Sequence, residues 1–98
     1  MKIKAIKARL GILKTPKFSS SFAANNPING TFYRVTFSDG LWGLVCDRRD
    51  GTFIPQCGLL KRYKGKTFVE FQDAVDALYA GLVVFGDPYS KKDEKKEN

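Results

Sequence analysis

The stretch TFYRVTFSDGLWGLVCDRRDGTFIPQC, residues 31–57, decides the fold. Thr31–Phe37 and Leu41–Cys46 are rich in β-branched and aromatic residues and flank Ser38-Asp39-Gly40. An Asp-Gly pair between alternating segments marks a hairpin, because type I′ turns need positive φ at both central residues. With Asp39 and Gly40 as a two-residue loop, Phe37 faces Trp42, Val35 faces Leu44 and Tyr33 faces Cys46. Side chains alternate along strands, so these six share one face.

A second pair, Asp50-Gly51, joins Leu41–Cys46 to Thr52–Cys57. A two-residue loop sets Cys46 against Pro55 and Leu44 against Cys57; a four-residue loop sets Phe53 against Cys46. Either way Phe53, Pro55, Cys57 and Leu59 lie on the apolar face, and Cys46 and Cys57 are not paired. Pro55 cannot donate to a ladder, which places this strand at an edge or ends it there.

Downstream, Thr67-x-x-Glu70 matches a capping box. Phe68, Phe71, Val75, Leu78 and Leu82 follow at helical spacing and form one stripe. Gly81 is placed to end the helix. The stripe covers the apolar sheet face, giving an expected core of Tyr33, Val35, Phe37, Trp42, Leu44 and Phe53. Leu82–Phe85 is then a last strand or an extension of the helix.

The flanks are less regular. In Met1–Leu10, Lys2 and Lys4 alternate with Ile3 and Ala5, whereas Ile3, Ile6, Leu10 and Leu13 fit a helix. A strand with a bulge near Ala5–Ile6 is expected, ended by Gly11. Residues 14–30 hold Pro16, a serine run, Asn25-Asn26-Pro27 and Asn29-Gly30. They read as a long loop or arm, with Phe18 and Phe22 available to pin it. The expected architecture is α+β: a small antiparallel sheet of three to four strands with one amphipathic helix packed on one face. It forms a single domain over residues 1–86, followed by a disordered charged tail over 87–98.

Charge indicates the class of partner. Lys and Arg number 17 against 10 Asp and Glu, for a net charge of +7, and histidine is absent. Clustered cations concentrate potential that attracts phosphates. Lys2, Lys4, Lys7 and Arg9 fall in a segment, residues 1–20, that has no acid; Lys61, Arg62, Lys64 and Lys66 precede the helix; Arg48 and Arg49 share a turn. The helix instead exposes Glu70, Gln72, Asp73 and Asp76. The assumed registers give the other sheet face Phe32, Arg34, Thr36, Gly43, Val45, Asp47, Thr52, Ile54 and Gln56. Arg34 and Gln56 there, with Arg49 beside them, are suited to hydrogen-bond base edges.

Thr31 to Tyr79, with Trp42 in the second strand and a basic run before an amphipathic helix, is similar in order to the integrase N-terminal DNA-binding domains. That resemblance implies a three-stranded sheet that enters the DNA major groove. The expectation is a non-catalytic nucleic-acid-binding module, DNA favoured over RNA. The alternative is an inhibitor or adaptor that docks an acidic protein, or a homodimer, through the outer sheet face; a continuous apolar patch of Phe32, Val45 and Ile54 would favour it.

Enzyme chemistry finds little here: no histidine, no phosphate-cradling glycine loop, no carboxylate pair and no activated cysteine. Asp47 and Asp50 beside the arginines read as turn caps. No metal and no cofactor is expected, because Cys46 and Cys57 lack ligand spacing and read as small buried hydrophobes. Without an apolar run near membrane length or a signal-peptide core, a cytoplasmic protein without membrane contact is expected.

Overall fold

The computed structural model describes residues 3–56 and 66–86. Helix α1 (Ile3–Leu10) is followed by strands β1 (Phe18–Asn26), β2 (Gly30–Phe37), β3 (Trp42–Asp47) and β4 (Phe53–Gln56), then helix α2 (Phe71–Phe85). The strands form an antiparallel meander in the order β1-β2-β3-β4. The α+β class, with one helix packed on the sheet, is as expected; several details differ for identifiable reasons.

The first hairpin has three loop residues, not two. The Gly40 N–H donates to the Phe37 carbonyl at 2.9 Å, and the Phe37 N–H donates to the Leu41 carbonyl at 2.8 Å. Gly40 takes the left-handed conformation (φ 97°) that closes such a loop. The Asp39 carboxylate accepts from the Leu41 N–H at 3.1 Å. The extra residue moves the register by one: Val35 faces Gly43, Tyr33 faces Val45 and Thr36 faces Trp42. A one-residue slip turns a whole strand over. Trp42, Leu44 and Cys46 therefore lie on the outer face, and Gly43, Val45 and Asp47 lie on the inner one.

The second turn also falls between the two registers considered. The Arg48 N–H donates to the Thr52 carbonyl at 3.0 Å, and Arg49 and Gly51 have positive φ. Cys46 faces Ile54 and Val45 faces Pro55. Phe53 and Pro55 keep their expected inner face because the two one-residue errors cancel. β4 ends the sheet order, as its proline requires.

Gly43 allows close approach, but of α2 rather than of a ligand. A Cβ at Gly43 would lie 2.7 Å from Leu78 Cδ1. Val35, Phe37, Val45, Ala74, Val75, Leu78, Tyr79 and Leu82 form the core, with Phe18, Phe53, Phe68 and Phe71 packed around it.

The capping box does not form. Phe68 is held in an extended bridge to Phe53, with hydrogen bonds of 2.7 and 2.9 Å in the two directions. Committing that backbone to the sheet edge delays the helix to Phe71. Glu70 occupies the N-cap in extended conformation without a side-chain cap. At the other end α2 runs through the buried Gly81 to Phe85, since Leu82 and Val83 still face the core. Gly86, φ 85°, ends it by donating to the Leu82 carbonyl at 2.8 Å.

Residues 14–30 are not a free arm. β1 pairs with β2 from Phe18↔Phe37 to Asn26↔Gly30, with an irregularity between Phe22 and Ala24. Its serines and alanines are mostly exposed, as on a one-sided edge strand. Phe18 meets the Phe37 ring at 6.0 Å, whereas Phe22 is largely exposed. β1 thereby occupies the sheet edge that an N-terminal strand would need. Ile3–Leu10 instead forms helix α1, which packs on α2 through Ala8 and Ala80. Gly11 ends it: its N–H donates to the Ala8 carbonyl at 3.1 Å and that of Ile12 to the Lys7 carbonyl at 2.9 Å. The tail expected over 87–98 lies outside the described residues.

Candidate nucleic-acid interface

Pleating lays the outer sheet face out in three rows. Ser19, Thr36 and Trp42 form the first; Ser21, Arg34, Leu44 and Gln56 the second; Ala24, Phe32, Cys46 and Ile54 the third. Arg34 reaches diagonally to the neighbouring strand β3, where its guanidinium lies 4.0 Å from the centroid of the Trp42 ring. A delocalised cation over an indole face is a favourable electrostatic pair that keeps the guanidinium edge available for hydrogen bonding. Phe32, Trp42, Leu44, Ile54 and Gln56 are half-buried, and Arg34 is exposed.

At the third row the face dips into a recess of about 300 Å³ lined by Ile28, Phe32, Cys46, Arg48, Ile54 and Gln56, among others. Cys46 is buried in its floor, and its thiol donates to the Asn29 carbonyl at 3.4 Å. Burial pushes that thiol above its ordinary value, so it stays protonated at neutral pH. Cys57 lies outside the described residues.

Arg49 is held elsewhere. Its guanidinium donates to Asn25 Oδ1 at 2.6 Å, Thr31 Oγ1 at 2.9 Å and the Asn26 carbonyl at 2.6 Å. It clamps the β3–β4 turn onto the β1–β2 end of the sheet. The neighbouring carboxylates act as turn caps: Asp47 accepts from the Arg49 N–H at 2.8 Å and Asp50 from the Thr52 N–H at 2.9 Å. Among the described residues, no group of three or more His, Cys, Asp or Glu is arranged to hold a metal.

The expected cations do not gather at one place. Arg34, Arg48 and Gln56 lie on or beside the outer face. Lys4, Lys7 and Arg9 travel with α1, which packs against α2 on the helical side of the sheet. Lys66 is exposed where the chain approaches α2, and Lys2, Lys61, Arg62 and Lys64 lie outside the described residues. Sequence reasoning missed Trp42 and Leu44 as outer-face residues. The available signal was Ser38, a polar residue before Asp-Gly that makes a three-residue turn as natural as a two-residue one.

It also missed a polar junction between α1, α2 and the first hairpin. The Tyr79 hydroxyl donates to Asp39 Oδ2 at 2.6 Å and accepts from Lys4 Nζ at 3.1 Å. Lys4 Nζ is 3.6 Å from the same carboxylate oxygen. Partial burial pushes the Asp39 carboxyl up, but the bonds from Tyr79 and the Leu41 N–H, with the charge of Lys4, outweigh it and hold the group below its ordinary value. Such a carboxylate contributes stability that is present above its unfolded value of about 3.9 and is lost as pH falls through the folded value. Tyr79 moves oppositely, raised by burial and then by its bond to Asp39, so its contribution holds below about pH 10 and is lost in stronger alkali. Asp39→Asn is therefore expected to flatten the loss of stability as pH falls below about 4, read from urea unfolding at each pH. An unchanged acid limb would show that this junction does not couple to folding.

Among the described residues no helix is long and apolar enough to cross a membrane. Comparison of the chain with protein families, curated proteins and solved structures finds no match, so the functional reading rests on the geometry of these surfaces.

Proposed function

We propose that this protein is a nucleic-acid-binding module, DNA favoured over RNA, that engages its ligand with the outer sheet face and performs no catalysis. The observation that carries the reading is the Arg34 guanidinium stacked 4.0 Å above Trp42 on a face that also presents Phe32. Aromatic side chains on a sheet stack bases, and an adjacent arginine adds both phosphate attraction and base-edge donors. Arg48 and Gln56 border the recess beside them and supply further polar contacts. The net charge of +7 supports affinity through counterion release. Val45 is buried, but Trp42, Leu44 and Cys46 join Phe32 and Ile54 on this face, so a protein partner or a homodimer docked there is the alternative reading. Cytoplasmic placement belongs to the same reading.

The test is titration of the full chain against fluorescent single- and double-stranded DNA and RNA at two salt concentrations. Submicromolar binding to at least one polymer, with a steep salt slope, is expected. Trp42→Ala should weaken that binding by about 1–3 kcal/mol, roughly 5- to 150-fold, without altering the helical signal. Absence of binding to every polymer at low salt would refute the proposal.

A further inference from the structure

Helix α1 is packed inside out. Its small residue Ala8 is buried against Ala80, whereas Ile3, Ile6 and Leu10 are 69, 43 and 63% exposed. At 3.6 residues per turn these three side chains fall within a sector about 60° wide on the side away from Ala8. Lys7 and Arg9, both exposed, lie on the two flanks of that sector. The helix is not free to roll and bury the stripe. Lys4 ties it to Tyr79 and Asp39, and the Gly11 turn redirects the chain toward Leu13, which packs on the core.

We propose that Ile3, Ile6 and Leu10 form a docking ridge for a protein partner that offers an apolar groove rimmed by carboxylates. Spacing of i, i+3 and i+7 is that of helix-in-groove recognition, in which each aliphatic residue fills one pocket. Charge sets the sign of the rim: residues 1–38 contain no Asp or Glu, so the flanking cations have no acid near them in sequence. A second copy of this chain is a poor occupant, because it would oppose Lys7 and Arg9 with the same cations on a molecule of net charge +7. A lipid surface is also a poorer fit, because binding there scales with buried apolar area and an eight-residue helix offers only these three aliphatic side chains. The ridge stands on the helical side of the fold, so it does not depend on the nucleic-acid reading of the sheet.

The experiment uses the isotopically labelled full chain and two synthetic two-helix peptides with the same leucine-lined groove, one rimmed by glutamate and one by lysine. The glutamate-rimmed peptide is expected to shift the amides of Ile3–Ile12 and to bind at least tenfold more tightly than the lysine-rimmed one. Ile6→Gln with Leu10→Gln should weaken that binding at least tenfold and leave the sheet and α2 amides in place. If that pair disturbs the fold, Lys7→Glu with Arg9→Glu decides, again by a tenfold loss. Unshifted α1 amides at millimolar peptide, or equal affinity for the two rims, would overturn the proposal. So would α1-dependent binding to vesicles containing phosphatidylserine in place of peptide binding, or a dimer that Ile6→Gln dissolves.

Discussion

Phe37→Ala is expected to destabilise the protein by about 3–5 kcal/mol, a large share of the roughly 5–15 kcal/mol available to a domain of this size. Phe37 is 2% exposed and lies where three elements meet. Its ring is 4.8 Å from Tyr79 of α2 and 6.0 Å from Phe18 of β1. Its backbone also closes the first hairpin through the bonds with Gly40 and Leu41. Truncation removes the transfer free energy of the ring and leaves a cavity between a sheet and a helix that are held apart by other side chains. Equilibrium urea unfolding measures the loss. A cost below about 1.5 kcal/mol would mean that β1 and α2 collapse onto the gap and that the core is not centred on Phe37. Phe71, more prominent in the sequence pattern, is only half-buried and should cost less.

Gly30→Ala is expected to cost about 3 kcal/mol or more, for a backbone reason rather than a packing one. Gly30 has φ 134°, outside the range that side-chain-bearing residues adopt readily. A Cβ there would lie 2.1 Å from the Asp47 carbonyl oxygen and 2.9 Å from its carbon. Those atoms belong to a paired strand and cannot swing aside as a side-chain tip could. Relief requires β2 and β3 to separate at the end where Arg49 clamps Asn25, Asn26 and Thr31. Denaturant unfolding and the amide exchange of Thr31 and Asp47 report this together. A wild-type midpoint with unchanged protection at these two amides would disprove the close approach. Gly40, with open space where its Cβ would be, provides the contrast of conformational strain without collision.

These two residues show what kind of information sequence carries. The hydrophobic period of Phe71, Val75, Leu78 and Leu82 announced α2, and two Asp-Gly pairs announced the strands around them. Tyr79 and Gly30 were less legible. Tyr79 lies beside the stripe rather than in it, and its hydroxyl partner is 40 residues away in the chain. Gly30 reads as one more turn glycine until the strand it faces is known. Arg49 carried the composition of a ligand contact, but three hydrogen-bond acceptors from a distant part of the chain engage it structurally.

Sequence alone determined the α+β class, the meander of β2, β3 and β4, the covering helix and the excess of positive charge. Each of these is a local or compositional property: turn residues favour particular φ values, an apolar stripe must be covered, and formal charge follows from residue type. Tertiary structure decided which side of the sheet each strand presents, that residues 18–26 join the sheet, and that residues 3–10 are helical. Trp42 is the sharpest case. One loop residue more than the minimum carries it from the expected core to the outer face beside Arg34. Packing accords with that choice: Gly43, not Trp42, fits beneath Leu78. The N-terminal segment was settled likewise, because β1 had already filled the sheet edge that an alternating strand would have joined.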